Sequence, residues 1–98
     1  MEVTQAQKFC ADLALTHYEN FPVGSRWISS KVRSDVHAIY AFARTADDFA
    51  DEPEHEGHRL ERLGVWRQLL NDAAFKNKAD HPVFIALKET IDRHQIPV

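Results

Sequence analysis

Four helices and no sheet is the fold this sequence predicts, on three observations. Apolar residues return every three or four positions in four separate segments, the spacing of a helix's buried face. No run alternates apolar and polar residues for long enough to make a strand. Pro22 with Gly24, then Pro53 and Pro82, stand where one periodic segment gives way to the next.

Each element has its own justification. Thr4 and Gln7 have the spacing of a capping box, and Ala6, Phe9, Cys10 and Leu13 follow at helical spacing, which places the first helix at about residues 4–18. His17–Ser25, HYENFPVGS, breaks that period and reads as a connection whose large side chains line a site. Trp27 and Ile28 open a short helical turn. From about Lys31 or Ser34 the helical pattern resumes and runs to Glu52, where Pro53 stops it. A third helix is placed at about residues 56–77, with Leu60, Leu63, Trp66, Leu70 and Ala73 inward. A fourth opens at Asp80, has Pro82 in its first turn and buries Phe84, Leu87 and Ile91. There is no internal repeat or low-complexity segment. The last residues, Ile96, Pro97 and Val98, form no polar tail, so residues 1–98 read as the N-terminal portion of a longer all-α domain.

Composition bounds the function. Ninety-eight residues allow one domain with one small core. Twelve Lys and Arg against fifteen Asp and Glu leave a net charge of -3, which disfavours a general nucleic-acid surface. A single cysteine, Cys10, excludes an intrachain disulfide, and the first thirty residues lack a signal peptide's basic start and apolar run, so a reducing, cytoplasmic setting is expected. Cys10 lies on an apolar helix face with no charged activator and reads as a small buried hydrophobe. No stretch approaches the ~20 apolar residues of a membrane span, although peripheral contact with a lipid surface stays open.

The second helix holds the informative pattern. At about 100° per residue, Tyr40, Arg44, Asp47 and Asp51 share one face, while Ile39, Phe42, Ala46 and Phe49 gather on the other. The apolar stripe is core. Asp47 and Asp51, however, are like charges at i and i+4, which costs a few tenths of a kcal/mol. Asp47, Asp48, Asp51 and Glu52 also crowd a helix C-terminus, where the macrodipole favours cations. One reading is a solvated acidic helix end. The other is a divalent cation held by carboxylates of successive turns, with Mg²⁺ the natural choice because it takes one or two carboxylates and leaves positions for phosphate oxygens. Arg44, one turn away, can grip the same phosphates. Glu52 and His55 have the E-x-x-H spacing of di-iron bundles, but Pro53 between them ends the helix that motif requires. His37, His81 and His94 each read as ordinary surface or core-edge histidines.

The segment IYAFARTADDFADE, Ile39 to Glu52, resembles the first aspartate-rich motif of the squalene and phytoene synthase family. The upstream loop HYENFPVGSR, His17 to Arg26, is similar to that of the hydroxysqualene synthases of hopanoid biosynthesis. The resemblance implies an all-α isoprenoid synthase fold, with helices around a deep cavity and two aspartate-rich motifs binding Mg²⁺ and diphosphate at its mouth. It implies metal ligation by Asp47 and Asp51 with Asp48 in support, catalytic roles for Asp47, Asp51, Arg44 and Tyr40, and substrate binding by His17, Phe21, Arg44 and Tyr40. Many relatives carry a serine and a lysine after that histidine, whereas here Tyr18, Glu19 and Asn20 follow. The second aspartate-rich motif has no counterpart in these residues.

The expected chemistry is therefore Mg²⁺-dependent ionisation of a prenyl diphosphate. The substrate is presqualene diphosphate on the way to hydroxysqualene, or farnesyl diphosphate in the condensation towards squalene. Tyr40, Phe21 and Phe49 are the rings expected to face the carbocation. The alternative is a non-catalytic helical fragment that self-associates as a homo-oligomer and at most binds a metal.

Overall fold

The small alanines on three of the helices let the backbones approach closely, and this sets the packing. The computed structural model describes residues 1–16 and 30–96. Among them are four α-helices, α1 (Val3–Thr16), α2 (Ser30–Asp51), α3 (Arg59–Phe75) and α4 (Pro82–His94), with a 3₁₀ turn at Pro53–His55 and no strand. The connection His17–Ser25 and the turn at Trp27–Ile28 lie outside the described residues. Helices α1, α2 and α4 pack mutually, and α3 lies against α2 and α4.

Ala6, Ala14 and Cys10 of α1, Ala38 and Ala41 of α2, and Ala86 of α4 are fully or almost fully buried. Burial pushes the Cys10 thiol up to about 11, so it is the inert hydrophobe its sequence position suggests. Larger side chains fill the other side of the core. Trp66 of α3 stacks on Phe42 and takes the edges of Phe49 and Phe84, and its indole N–H donates to the Phe42 carbonyl at 3.3 Å. Phe84, Leu87 and Ile91 are buried as expected on α4.

Several expectations need correction. The first helix begins with Glu2 rather than Thr4 as its cap: the Glu2 N–H donates to Gln5 Oε1 at 3.1 Å, and the Glu2 carbonyl accepts from Ala6. Gln5 thus does the capping work assigned to Gln7, two positions earlier. The helix also ends at Thr16, short of residue 18. Helix α3 starts at Arg59 rather than near residue 56, because Gly57, at φ +87°, turns the chain after the 3₁₀ segment. Leu60, placed inward, is 87% exposed. It lies six residues before Trp66, about 120° round the helix, and cannot share that face. Ile39, placed on the apolar stripe of α2, is likewise exposed, because the buried face centres on Ala38 and Ala41. On α4 the cap is His81, not Asp80: its Nδ1 accepts from the Val83 N–H at 3.2 Å.

Among the described residues one carboxylate is deep in the fold. Asp35 of α2 is 4% exposed, and its carboxylate accepts hydrogen bonds from Thr90 Oγ1 at 2.9 Å and Arg93 Nη1 at 2.8 and 3.0 Å, and pairs with His94 Nε2 at 2.7 Å. Burial pushes its pKa up, but the bonds from His94 and Thr90 and the charge of Arg93 outweigh this and hold it below 3.8. His94 is therefore no isolated histidine. This cluster outweighs surface pairs such as Lys8–Asp12, whose side chains are mostly exposed and which adds a few tenths of a kcal/mol at most.

Two predictions follow from the buried polar groups. Asp35→Ala leaves Arg93, His94 and Thr90 without their shared acceptor and should cost about 3 kcal/mol in urea denaturation, with Asp35→Asn costing less because it keeps an acceptor for Thr90. The second concerns His81 and His37, both held below 6.5, His81 by burial and His37 by burial and then Arg33. The unfolded chain takes up their protons first, so this stability is complete above 6.5 and is lost as the pH falls below it. Thermal melts should fall on acidification through that value, and His81→Asn, which keeps a capping acceptor but does not titrate, should flatten the fall.

Candidate functional site

The last two turns of α2 carry Arg44, Asp47, Asp48 and Asp51, and none of the last-turn residues is basic. A row of carboxylates beside unsatisfied carbonyls is thus real in the fold as well as in the pattern. Part of the relief comes from the next element: Arg59, at the start of α3, donates from Nη2 to the Glu52 carbonyl at 3.3 Å. Its partner lies seven residues back across a turn, so no helical period announces it.

The four acids divide by position. Asp48 is half-buried and faces Arg44, whose Nε lies 3.3 Å from its Oδ1. That distance makes an ion pair, yet the N–H is not aligned for a hydrogen bond, and Arg44 Nε is buried without one. Asp47, Asp51 and Glu52 are exposed. Among the described residues neither Asp47 nor Asp51 has an ion-pair or hydrogen-bonded partner. Tyr40 is half-buried one turn before Arg44. Tyr40, Arg44, Asp47 and Asp51 thus lie along one side of α2, at the border of its buried face. His17 and Phe21, the other two expected site residues, lie outside the described residues.

Phe49 does not join them. Its ring sits on the opposite side of α2, edge-on to Trp66 at 5.6 Å and to His55 at 5.0 Å, so it is a core residue and not a ring facing a substrate cation. A cavity of about 250 Å³ between α2 and α3, lined by Phe49, His58, Glu61, Arg62, Val65 and Trp66, lies on that same side and holds none of the four site residues. Glu52 and His55 do not share a helix face either: α2 ends at Asp51, and the buried His55 turns to Phe49.

No three His, Cys, Asp or Glu side chains converge on one point among the described residues. Asp47, Asp48 and Asp51 therefore do not form a three-ligand cage. The donor set nevertheless fits Mg²⁺, which binds through one or two carboxylate oxygens and keeps its remaining positions for water and phosphate. Asp47 and Asp51 supply two hard oxygen donors one turn apart, while Asp48, grouped with the metal in the sequence reading, is engaged by Arg44.

The family model for squalene/phytoene synthase matches residues 14–98. The chain belongs to the squalene/phytoene synthase family. It is 34% identical to a solved squalene synthase HpnC from Alicyclobacillus acidocaldarius, with a TM-score of 0.86 over 97% of this chain and 35% of that one. It is 32% identical over 76 residues to the hydroxysqualene synthase of Zymomonas mobilis, covering 78% of this chain and 25% of that protein. The phytoene synthase of Mycobacterium tuberculosis is 27% identical over 97 residues, 99% of this chain and 31% of the relative. The likeness supports the HpnC-type branch within the family, and the helices are those of the isoprenoid synthase fold. This chain spans about a third of the length of the relatives it matches across nearly all its residues.

Proposed function

We propose that α2 supplies one carboxylate half of a Mg²⁺-dependent site for prenyl diphosphates, used in ionising presqualene diphosphate towards hydroxysqualene or farnesyl diphosphate towards squalene. The observation that carries this reading is the pair Asp47 and Asp51, exposed, without a partner among the described residues, and one turn apart at the helix end least favourable to them. A folded chain keeps such a pair where its repulsion is relieved by a bound cation. Membership of the family, and the likeness to proteins named squalene, hydroxysqualene and phytoene synthases, support the substrate class.

Each side chain has a task in this scheme. Bound Mg²⁺ supplies positive charge to the departing diphosphate. Asp47 and Asp51 would hold it and orient the diphosphate along α2. Arg44, with an Nε that lacks a hydrogen bond, turns its guanidinium to the phosphate oxygens, and Asp48 steadies it from the next turn. Tyr40, one turn further from the helix end, presents a ring to the prenyl end of the substrate. No helix among the described residues is long and apolar enough to cross a membrane. A cytoplasmic protein that meets its lipid-like substrate at a membrane surface suits this chemistry.

Calorimetric titration with farnesyl diphosphate, with and without Mg²⁺, tests the reading. Binding should require Mg²⁺ and weaken at least about tenfold, or roughly 1.4 kcal/mol, in Asp47→Asn/Asp51→Asn. Loss of fold is not a competing explanation, since removing two like charges from a helix C-terminus should raise thermal stability slightly. Equal binding by the variant, or binding indifferent to Mg²⁺, would contradict the assignment.

A further inference from the structure

The end of α2 has more to offset than its acids. The helix stops at Asp51, and Pro53 has no N–H to give the Phe49 carbonyl. Among the described residues, the carbonyls of Phe49, Ala50 and Asp51 accept no backbone N–H, and the last turn holds no base. These acceptors add their partial charge to that of Asp47, Asp51 and Glu52. The cation that meets this end comes from beyond it.

Arg59 opens α3, and its Nη2 donates to the Glu52 carbonyl at 3.3 Å. The same carbonyl accepts the His55 N–H at 3.1 Å, so both its lone pairs are used and the turn between α2 and α3 closes on it. Arg59 is half-buried, and its Nε is buried without a hydrogen bond. The stem is thus embedded, and the tip reaches out to the carbonyl. Among the described residues Arg59 forms an ion pair with none of the six acids of residues 47–56. A guanidinium that bypasses six carboxylates for one backbone oxygen is placed to close a helix.

That closure matters because Asp51 is the last residue of α2. Asp47 is followed by a further turn of helix, whereas Asp51 stands where a helix frays first. The two carboxylates can share one cation only while Asp51 stays helical, one turn from Asp47. We infer that Arg59 is a positioning residue for this pair: its bond to the Glu52 carbonyl holds the last turn of α2 closed and keeps Asp51 in register with Asp47 for the metal. The metal's part in this rests on the diphosphate reading above. Charge alone would act the other way, since a cation near the pair repels Mg²⁺. The sign of the effect on binding therefore separates positioning from simple charge.

Amide hydrogen exchange on the ligand-free chain, paired with calorimetric titration of farnesyl diphosphate and Mg²⁺, tests this. Arg59→Ala keeps a good helix former at the start of α3, so exchange around Trp66 should not change. The amides of residues 50–52 should lose protection at least about threefold, the ratio given by a net hydrogen bond at the low end of its usual range. Mg²⁺-dependent affinity should fall by a similar factor. Arg59→Lys, which keeps a cationic donor for the carbonyl, should recover both. Unchanged exchange at residues 50–52, unchanged or tighter binding by Arg59→Ala, or no recovery in Arg59→Lys would each overturn the inference. Failure of the diphosphate reading would show differently, as no Mg²⁺-dependent binding by the unsubstituted chain, while the exchange result still decides whether Arg59 closes α2.

Discussion

A carboxylate taken out of water must find compensation inside the protein, and Asp35 finds it entirely on α4. Thr90, Arg93 and His94 occupy nearly every acceptor position it has, so α4 can dock on α2 in only one register without leaving a buried charge bare. The consequence reaches beyond those four residues. A helix is a rigid screw, and fixing the phase of one residue fixes the phase of all. With Asp35 turned inward, Asp47 and Asp51 lie about 120° and 160° round the helix from it, away from the core. The exposure of the acidic pair is thus dictated by the burial of an acid three turns earlier.

The same helix therefore treats its carboxylates in opposite ways. Asp35 is desolvated and fully partnered, and it ties two helices together. Asp47 and Asp51 are solvated and have no partner among the described residues, and they sit at the end of the helix dipole that repels them. The first arrangement contributes to stability, whereas the second costs a few tenths of a kcal/mol and is tolerated because the rest of α2 is held by alanine-close packing and the Trp66 cluster. Asp48 and Arg44 stand between the extremes, paired by charge but not by a good hydrogen bond, which leaves the guanidinium free to exchange its partner for a phosphate.

Much of this was legible in the sequence wherever a local period decides the outcome. The stop at Pro53, the buried stripe of Phe84, Leu87 and Ile91, and the common face of Tyr40, Arg44, Asp47 and Asp51 all follow from 3.6 residues per turn. The errors arose where several phases were compatible with the pattern. Leu60 and Ile39 are apolar and periodic, yet each lies outside the arc that tertiary packing selected, and Phe49 faces Trp66 because α3 crosses on that side. Caps shifted by one or two residues because Glu2 and His81 did work usually assigned to Thr or Asp. The Asp35 cluster joins residues 55 to 59 positions apart and has no local signature. One clue was nonetheless present: Asp35, Phe42 and Phe49 share a seven-residue spacing, so an acid stood on an apolar face.

The account turns on whether Asp47 and Asp51 together hold a metal–diphosphate complex. Paramagnetic broadening of backbone amides by Mn²⁺, added with inorganic diphosphate to the ¹⁵N-labelled chain, reports the position of the ion directly. Broadening concentrated on residues 44–52, and abolished when Asp47 and Asp51 are both asparagine, is the predicted result. Broadening centred instead on Glu54–Glu61, or spread evenly over all fifteen acids of the surface and core, would contradict it.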